Sequence, residues 1–393
     1  MFRFLLLACL TSLPSIAQSD TEVYLFDLKV IDGTITLENQ RNISNNEGYD
    51  NQPSFYNDNQ VLFAKTQNGQ TDIASYNVRD NEAQWISDTD VGSEYSPLKI
   101  LNQKAVSSVR LDTNGLQRLY RYDYKSGKSE MLIDTLVVAY HTWYDDYTVV
   151  SSVISENRLD LFVSNLNDKA NTLQQKNTGR SIHKIPNTDL VSYVSKENEI
   201  WKIKSLQPIS GATQEIIDLP KGYEDFCYLI NGTIVLGKGN ALYGYNPKTD
   251  KDWKLIHRFT DNNLWNITRV ATNATSTMLA IVSDISPERI VEKQLKSFNE
   301  GDLETFANTF TSDVVVKNYP DELIYEGRDA LKQRYKALFA RGEKISVEVK
   351  NRLINGNKVI DEEWVTKNGV SKKQLTIFEI RGGLISKMTF INN

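Results

Sequence analysis

A repeat with a period of 44 residues constrains the fold of most of this chain. Apolar strand starts recur at six positions, separated by 44, 44, 41, 44 and 44 residues: Val61, Ala105, Val149, Leu190, Ile234 and Met278. A polar turn and another strand follow, most clearly at Ile73-Ala74-Ser75-Tyr76-Asn77 and Leu242-Tyr243-Gly244-Tyr245-Asn246. A period in the low forties with four strands per unit is typical of a β-propeller blade. The sequence therefore predicts an all-β propeller with six blades.

The count of strands predicts how this ring closes. Six second strands but only five third strands lie after Gly48, and the missing outer strands are found near the N-terminus, at residues 23–27 and 35–38. We therefore expect the sixth blade to take its inner strands from residues 265–283 and its outer strands from residues 22–41. Closure of this kind removes the free strand edges that an open row of blades would leave.

One segment carries a family resemblance. Asp50-Asn51-Gln52-Pro53-Ser54-Phe55-Tyr56-Asn57-Asp58 is similar to the blade motif of TolB-type propellers, in which Pro and an aromatic residue precede Ser-Pro-Asp-Gly. Asn57 stands where Pro is usual and Asn59 where Gly is usual, and Ser96-Pro97-Leu98 is a fainter copy in the second blade. Such propellers mostly bind proteins, peptides or glycans at the channel mouth. The resemblance thus implies an unknown protein or polymer partner there.

The N-terminus predicts export. Arg3 precedes an apolar run from Phe4 to Leu10, and Ser15-Ile16-Ala17 places small residues where a signal peptidase reads, which makes residues 1–17 a signal peptide. We therefore expect a periplasmic or extracellular protein. A lipoprotein signal at Cys9 and a buried first helix are the alternatives.

The composition argues against a membrane span, a nucleic-acid partner and an internal disulfide. No other stretch approaches the roughly 18 apolar residues of a membrane span. The net charge is −5 and no Lys/Arg stripe stands out, so we expect no nucleic-acid partner. The exported chain would retain one cysteine, Cys227, and therefore no internal disulfide.

The hydrophobic period changes from 2 to 3.6 after Ile285. Ser286-Pro287-Glu288 has the cap, the first-turn proline and the acid of a helix start. Helical patterns continue to Phe339, and four strand patterns follow at residues 344–353, 358–366, 372–381 and 384–391. The sequence thus predicts a multidomain protein, with the propeller at residues 18–285 and an α+β cone-shaped domain at residues 286–393.

The second domain also resembles a known family. Residues 288–392 are similar to the SnoaL-like and ketosteroid-isomerase-like branch of the nuclear transport factor 2-like superfamily. The resemblance rests on Phe298-Asn299-Glu300-Gly301-Asp302, Phe310-Thr311-Ser312-Asp313-Val314, Tyr325-Glu326-Gly327-Arg328-Asp329-Ala330-Leu331 and Arg381-Gly382-Gly383-Leu384-Ile385. It implies a cone with an internal pocket and a homodimer through the sheet. Functions in the family range from isomerase and cyclase to binding modules without chemistry.

The residues at the family's catalytic positions argue against the isomerase reaction. Isomerases of this type use one Tyr and two Asp, and the matching positions here hold Gln294, Asn318 and Thr376. Gln and Asn cannot act as a general base at neutral pH. We therefore expect no ketosteroid isomerase activity.

A different pair of acids remains as a catalytic alternative. If Asn355-Gly356 and Asn368-Gly369 are two-residue turns, Asp361 and Glu363 share one sheet face with Arg352 and Thr376. The opposite face then carries Val347, Val349, Ile360, Trp364, Leu375 and Ile377. Either the charged face is solvated and the apolar face meets the helices, or the charged face lines the pocket and the apolar face meets a second copy or the propeller.

The sequence therefore predicts an exported, non-catalytic binding protein. The propeller would recognise a protein or polymer, and the cone would bind a small apolar ligand or dimerise. The expected ligand-binding residues are Gln294, Asn318, Arg352, Asp361, Glu363, Thr376 and Phe378. The alternative is an isomerase, cyclase or hydrolase with Asp361 or Glu363 as general base. We expect no cofactor. We also expect no metal, because no carboxylate or third His is placed to join His141 and His183.

Overall fold

A computed structural model describes residues 20–31, 33–46, 48–340 and 345–392. The predicted signal peptide, with its alternative at Cys9, lies outside the described residues. The propeller strands are β1 (Thr21–Ile31), β2 (Thr34–Asn42), β3 (Asn51–Asn57), β4 (Gln60–Gln67), β5 (Gln70–Asn77), β6 (Glu82–Trp85), β7 (Ser93–Lys99), β8 (Ala105–Leu111), β9 (Gln117–Asp123), β10 (Ser129–Ile133), β11 (Val138–Trp143), β12 (Thr148–Ser155), β13 (Arg158–Asn165), β14 (Ala170–Lys184), β15 (Val191–Ser195), β16 (Lys202–Leu206), β17 (Thr213–Asp218), β18 (Phe226–Tyr228), β19 (Ile234–Lys238), β20 (Ala241–Tyr245), β21 (Lys254–Arg258), β22 (Ile267–Thr272) and β23 (Met278–Asp284). A short 3₁₀ helix, Asn262–Leu264, precedes β22.

These strands form the six blades of the propeller. Strands β3 to β6 form blade 1, β7 to β10 form blade 2 and β18 to β21 form blade 5. Blades 3 and 4 belong to one seven-stranded sheet, from β11 to β17. They are joined because the first half of β14 pairs with β13, whereas its second half pairs with β15. The structure thus has the six-bladed architecture that the 44-residue spacing predicts.

Blade 6 combines strands from both ends of the propeller sequence. Its order is β2-β1-β23-β22, and β1 runs antiparallel to β23 from Thr21 opposite Asp284 to Asp27 opposite Met278. Both faces of β1 are buried. Tyr24, on one face, packs in the cluster that includes blade 5, whereas Val23 and Leu25, on the other face, pack in the cluster that includes blade 1. The N-terminal strand therefore pairs with β23 and fills the space between two neighbouring blades.

The C-terminal domain has helices followed by a curved sheet. Its elements are α1 (Pro287–Glu300), α2 (Leu303–Asn308), β24 (Phe310–Asn318), β25 (Glu322–Glu326), α3 (Arg328–Ala340), β26 (Ile345–Asn355), β27 (Lys358–Lys367), β28 (Val370–Arg381) and β29 (Leu384–Asn392). The Ser286 side chain caps α1, and Gly301 ends it with a φ of 73°. The sheet order is β25-β24-β29-β28-β27-β26, and α1 and α3 pack on one face around Phe298, Phe306 and Phe310.

The register of β26 differs from the sequence prediction. Asn355 pairs with Lys358, so the turn is Gly356-Asn357 rather than Asn355-Gly356, and a β-bulge lies between Val349 and Asn351. Val349 consequently pairs with Glu363 and shares its face. The prediction that Val347 and Val349 lie on the face opposite the acids is wrong, because the bulge shifts the alternation by one residue.

The two domains meet where β23 leads into α1. The Arg289 guanidinium lies 3.2 Å from a carboxylate oxygen of the buried Glu22, and the Trp265 indole donates a hydrogen bond to the Ile285 carbonyl at 3.0 Å. Within the described part of the chain, no helix combines the length and apolar character needed to cross a membrane.

Candidate functional site

The C-terminal domain contains a partly open cavity of about 440 Å³ between its helices and the inner face of its sheet. Aromatic and aliphatic side chains form most of the wall, including Phe298 and Tyr335 from the helices and Phe378 and Phe390 from the sheet. The lining residues with polar groups are Gln294, Tyr325, Arg334, Tyr335, Glu363, Gln374 and Thr376. A volume of this size and a mostly apolar wall are typical of a site for a small organic molecule.

Glu363 is the one carboxyl group among these lining residues. Its side chain is buried, and its Oε2 accepts a hydrogen bond from the Thr376 hydroxyl at 2.6 Å and another from the Gln374 amide at 3.2 Å. Its Oε1 accepts no hydrogen bond from a described residue. Oε1 is not fully enclosed by protein, and because Glu363 lines the cavity, we infer that this oxygen is accessible from it. Hydrogen bonds to Oε2 thus fix the carboxyl group in place, and Oε1 remains available to a ligand.

The environment of Glu363 favours its protonated form. Burial raises its pKa from 4.5 to about 7, the nearby Asp361 carboxylate adds to the rise, and the Thr376 and Gln374 hydrogen bonds oppose it. At neutral pH both protonation states are therefore populated. Glu363 can donate a hydrogen bond when protonated, and it can accept a proton when ionised.

Asp361 lies two residues away on the same strand, but its charge is neutralised. Its two carboxylate oxygens each accept a hydrogen bond from the Arg352 guanidinium at 2.7 Å. Arg352 also lies 3.3 Å from a carboxylate oxygen of Glu292 and 3.6 Å from one of Glu288 on helix α1. The bidentate pair links two neighbouring strands, and the contacts of Arg352 with Glu292 and Glu288 join the sheet to the helix. Asp361 is 1% exposed and does not line the cavity.

The structure brings together only part of the predicted ligand-binding set. Gln294, Glu363, Thr376 and Phe378 line the cavity. Arg352 and Asp361 pair with each other beside it, outside the lining residues. Asn318 lies at the end of β24, where its amide donates a hydrogen bond to Glu322 at 3.1 Å, and it does not line the cavity either.

Three polar lining residues were not predicted from the sequence. Gln374 pairs with Glu363 across the sheet, so the alternation that identified Thr376 could also have identified it. Tyr325 belongs to the family motif, and its buried hydroxyl lies beside the Tyr335 phenol, which adds to the rise in the Tyr325 pKa that burial causes. The Arg334 guanidinium lies 5.6 Å from the centre of the Tyr325 ring. Helical periodicity alone gives no signal for such an exposed arginine.

The opposite face of the sheet exposes apolar side chains. Leu353 is 58% exposed and Trp364 is 38% exposed, and Ile360, Leu375 and Ile377 are half-buried on the same face. The acids therefore face the helices, and this apolar face is directed away from them.

The two histidines considered as metal ligands, His141 and His183, are buried in separate environments. The His141 Nε2 lies 2.7 Å from the Ser107 hydroxyl, and burial lowers the pKa of His141 to about 3. His183 packs its ring against Phe226, and burial lowers its pKa to about 4. The described residues contain no group of three or more His, Cys, Asp or Glu side chains that could hold a metal ion.

Comparisons with known proteins support both predicted resemblances. Residues 291–388 match the SnoaL-like domain. A putative TolB from Agrobacterium tumefaciens is 10% identical, with a TM-score of 0.54, over 68% of this chain and 99% of that protein. This match shows the TolB-type fold of the propeller.

Smaller solved proteins match the C-terminal region. An uncharacterised cystatin-fold protein from Novosphingobium aromaticivorans is 22% identical over 28% of this chain and 99% of its own, with a TM-score of 0.27. A putative ketosteroid isomerase from Kribbella flavida is 19% identical over 27% of this chain and 76% of its own, with a TM-score of 0.24. No curated protein sequence matches the chain.

Proposed function

We propose that this protein is an exported binding protein whose C-terminal domain holds a small, largely apolar ligand against Glu363. The observation that carries the proposal is the largely apolar 440 Å³ cavity with one carboxyl group, that of Glu363, in its wall. Export is proposed from the pattern of residues 1–17, and the propeller fold is consistent with it.

The wall of the cavity defines the class of ligand. Phe298, Tyr335 and Phe378 offer aromatic surface to a flat or ring-shaped apolar body. Glu363 can donate a hydrogen bond to a ligand carbonyl when protonated, or accept one from a ligand hydroxyl when ionised. An apolar ligand with one hydroxyl or ketone group therefore satisfies both the wall and the carboxyl group.

The binding experiment uses the full chain and a matched pair of variants. Naphthols, hydroxylated steroids and steroid ketones are the probes, and the shift in melting temperature measures binding. Glu363→Gln keeps the side-chain shape but removes the acid, and we expect a loss of about three- to tenfold in affinity, because one hydrogen bond to a charged or buried partner changes. Glu362→Gln is the control, since Glu362 points away from the cavity and pairs with Lys373. Wild-type protein that none of these probes stabilises would overturn the proposal.

A second function, general base catalysis by Glu363, is supported by its pKa of about 7. Bases with pKa values near neutrality are effective in proton transfer. Asp361 is a poor candidate for this role, because both of its oxygens are held by Arg352.

Solvent exchange separates binding from this chemistry without knowledge of the natural substrate. A bound ketone whose α-proton is abstracted by Glu363 exchanges that proton for deuterium in D₂O, and mass spectrometry detects the gain. Binding without enhanced exchange supports the binding protein. Exchange that is enhanced by wild type and by Glu362→Gln, but lost in Glu363→Gln, would make the domain an enzyme.

We also propose that the apolar sheet face mediates a homodimer. It exposes Leu353 and Trp364 next to three half-buried aliphatic residues, and burial of such a surface is favourable by about 25 cal/mol per Å². Sedimentation of wild type should give a dimer, and Leu353→Ser with Trp364→Ser should give a monomer that retains ligand binding. A monomeric wild-type protein would overturn this part of the proposal.

A further inference from the structure

A set of polar residues surrounds one end of the propeller channel and shares no residue with the lining of the cavity in the C-terminal domain. Each blade contributes one residue at or near the start of its inner strand: Tyr49, Tyr95, Tyr140, Arg180, Asp225 and Arg269. We call these six residues the channel ring. Three adjacent blades supply phenols, and the other three supply two guanidinium groups with a carboxylate between them.

Contacts across the channel show that the ring is assembled. The Tyr49 and Tyr95 rings lie 6.0 Å apart in an edge-on arrangement. Burial raises the pKa of Tyr49, and the charges of Arg269 and Arg180 lie close enough to oppose that rise. Tyr140 in turn lies close enough to affect both Tyr49 and Arg180. Phenols from blades 1 to 3 therefore face the guanidinium groups of blades 4 and 6.

Asp225 holds the two arginines in place. Its carboxylate accepts hydrogen bonds from Arg180 at 3.0 and 2.5 Å, and it lies 3.0 Å from the Arg269 Nη1. Both oxygens of the acceptor are thus engaged. The remaining N–H groups of the two guanidinium groups, including the Arg269 Nε and Nη2, have no partner among the described residues.

The hydroxyl groups of the three phenols are also without partners. Tyr49, Tyr95 and Tyr140 make no side-chain hydrogen bond to a described residue, and none of their hydroxyls is fully enclosed by protein. The ring therefore presents an excess of hydrogen-bond donors to the channel: three O–H groups and the free guanidinium N–H groups. An oxyanion is the kind of group that such a set of donors can satisfy together.

The balance of charge favours a group with a single negative charge. Two arginines and Asp225 leave one positive charge in the ring. Of the other acids close by, Glu224 lies 3.8 Å from the Arg180 Nε, but it pairs more closely with Lys196, at 3.0 Å, which offsets its charge. Asp284 accepts a hydrogen bond from Asn266 at 2.6 Å, and burial raises its pKa against the opposing charges of Arg269 and Arg180. A carboxylate matches one residual charge, whereas a doubly charged phosphate exceeds it.

We propose that the channel ring is a binding site for a carboxylate-bearing ligand, with Arg180 and Arg269 neutralising the carboxylate and the hydroxyls of Tyr49, Tyr95 and Tyr140 completing its hydrogen bonds. This site is separate from the cavity at Glu363 and does not depend on the function proposed for that cavity.

The test is calorimetric titration of the full chain at low salt with four probes: acetate, benzoate, inorganic phosphate and glucose. We expect the two carboxylates to bind and their affinity to fall as salt is raised. Binding of phosphate or glucose without binding of either carboxylate would overturn the proposal.

Tyrosine variants locate the site without disturbing the fold. Tyr95→Phe and Tyr140→Phe remove hydroxyls that bond to no described residue, so the melting temperature should not change. Each should weaken carboxylate binding roughly two- to tenfold, since one hydrogen bond is lost. Tyr147→Phe is the control, because Tyr147 is exposed on a turn outside the channel. Carboxylate binding that is unchanged in the combined Tyr49→Phe, Tyr95→Phe and Tyr140→Phe variant would contradict the assignment.

Discussion

The propeller channel and the cavity of the C-terminal domain both remove carboxyl groups from bulk water, but they compensate the charge differently. In the channel, Asp225 lies between Arg180 and Arg269. In the cavity, Glu363 has two neutral hydrogen-bond donors and, among the described residues, no cation at bonding distance. A paired acid is a structural element that holds its partners in place, whereas an unpaired acid with a raised pKa is free to meet a ligand.

The same contrast exists within two residues of strand β27. Asp361 is paired in bidentate geometry with Arg352, and Glu363 faces the cavity. Both acids lie on the same face of the sheet, so the face alone does not decide the role of an acid. The partner on the neighbouring strand decides it, since the register set by the Gly356-Asn357 turn places Arg352 directly opposite Asp361.

The largest expected effect concerns how the propeller is held together. Deletion of residues 21–42 removes the two outer strands of blade 6 and exposes an edge of β23 along its length. We expect the variant to lose the cooperative unfolding transition of the propeller and to aggregate, because unpaired edges and buried apolar residues become exposed. Scanning calorimetry and light scattering measure both. A deletion variant that melts like the full chain would show that the ring does not depend on these strands.

The next effect tests the paired acid. Arg352→Ala leaves Asp361 buried without its cation, so we expect a loss of about 3–5 kcal/mol in the free energy of unfolding of the C-terminal domain. Lys336→Ala is the control, since Lys336 is an exposed cation on α3 of the same domain and its substitution should change stability by less than about 0.5 kcal/mol. Chemical denaturation measures the difference. Equal effects of the two substitutions would mean that the Arg352 pair is no more important than a surface charge.

Substitution of the unpaired acid, Glu363, should raise the stability of the protein, whereas substitution of Arg352 should lower it. The pKa of Glu363 is higher in the folded protein, about 7, than its ordinary value of 4.5, so the folded state holds the proton more tightly. Its contribution to stability is therefore fully present below pH 4.5 and is lost as the pH rises toward 7. Glu363→Gln should accordingly stabilise the protein at pH 8, by at most about 3 kcal/mol, and much less at pH 4.

Glu362→Gln is the matched control for that pH series. Glu362 lies on the outward face, where Lys373 and Asn351 hold its pKa below its usual range. Its substitution should therefore not stabilise the protein at pH 8. A Glu363→Gln variant with the same stability as wild type at both pH values would contradict the uncompensated state of Glu363.

The smallest expected effect comes from the channel. Tyr95→Phe removes a hydroxyl that has no hydrogen-bond partner among the described residues, so the free energy of unfolding should stay within about 0.5 kcal/mol of wild type. A loss of 1–2 kcal/mol, measured by denaturation, would instead mean that the hydroxyl makes a structural hydrogen bond.

Much of the architecture could be predicted from the sequence, because the 44-residue repeat and the hydrophobic periods are carried by many residues at once. The spacing of Val61, Ala105 and the other strand starts predicts the blades, and the missing outer strands predict the role of residues 22–41. The change of period at Ser286 predicts the start of α1. These features depend on many apolar residues at once, so single substitutions do not obscure them.

The site was harder to predict because it depends on register. Alternation correctly places Glu363 and Thr376 on one face, as their cavity contacts show. It cannot reveal the bulge in β26, which moves Val347 and Val349 to that face. Nor can it show that Arg352 neutralises Asp361 or that Tyr325 and Arg334 reach the cavity from β25 and α3. The channel ring was not predicted from the sequence either, because its residues are of three different types and share only their place in the blades.

The most direct test of the account is the pKa of Glu363 itself. Selective ¹³C labelling of glutamate carboxyl groups in the full chain, with Glu363→Gln to assign the resonance, follows its titration by NMR. The account predicts a pKa of about 7 in the free protein and a shift of that value when an apolar hydroxyl or ketone probe binds. A pKa near 4.5 that no probe changes would contradict the claim that Glu363 is an uncompensated acid facing a ligand.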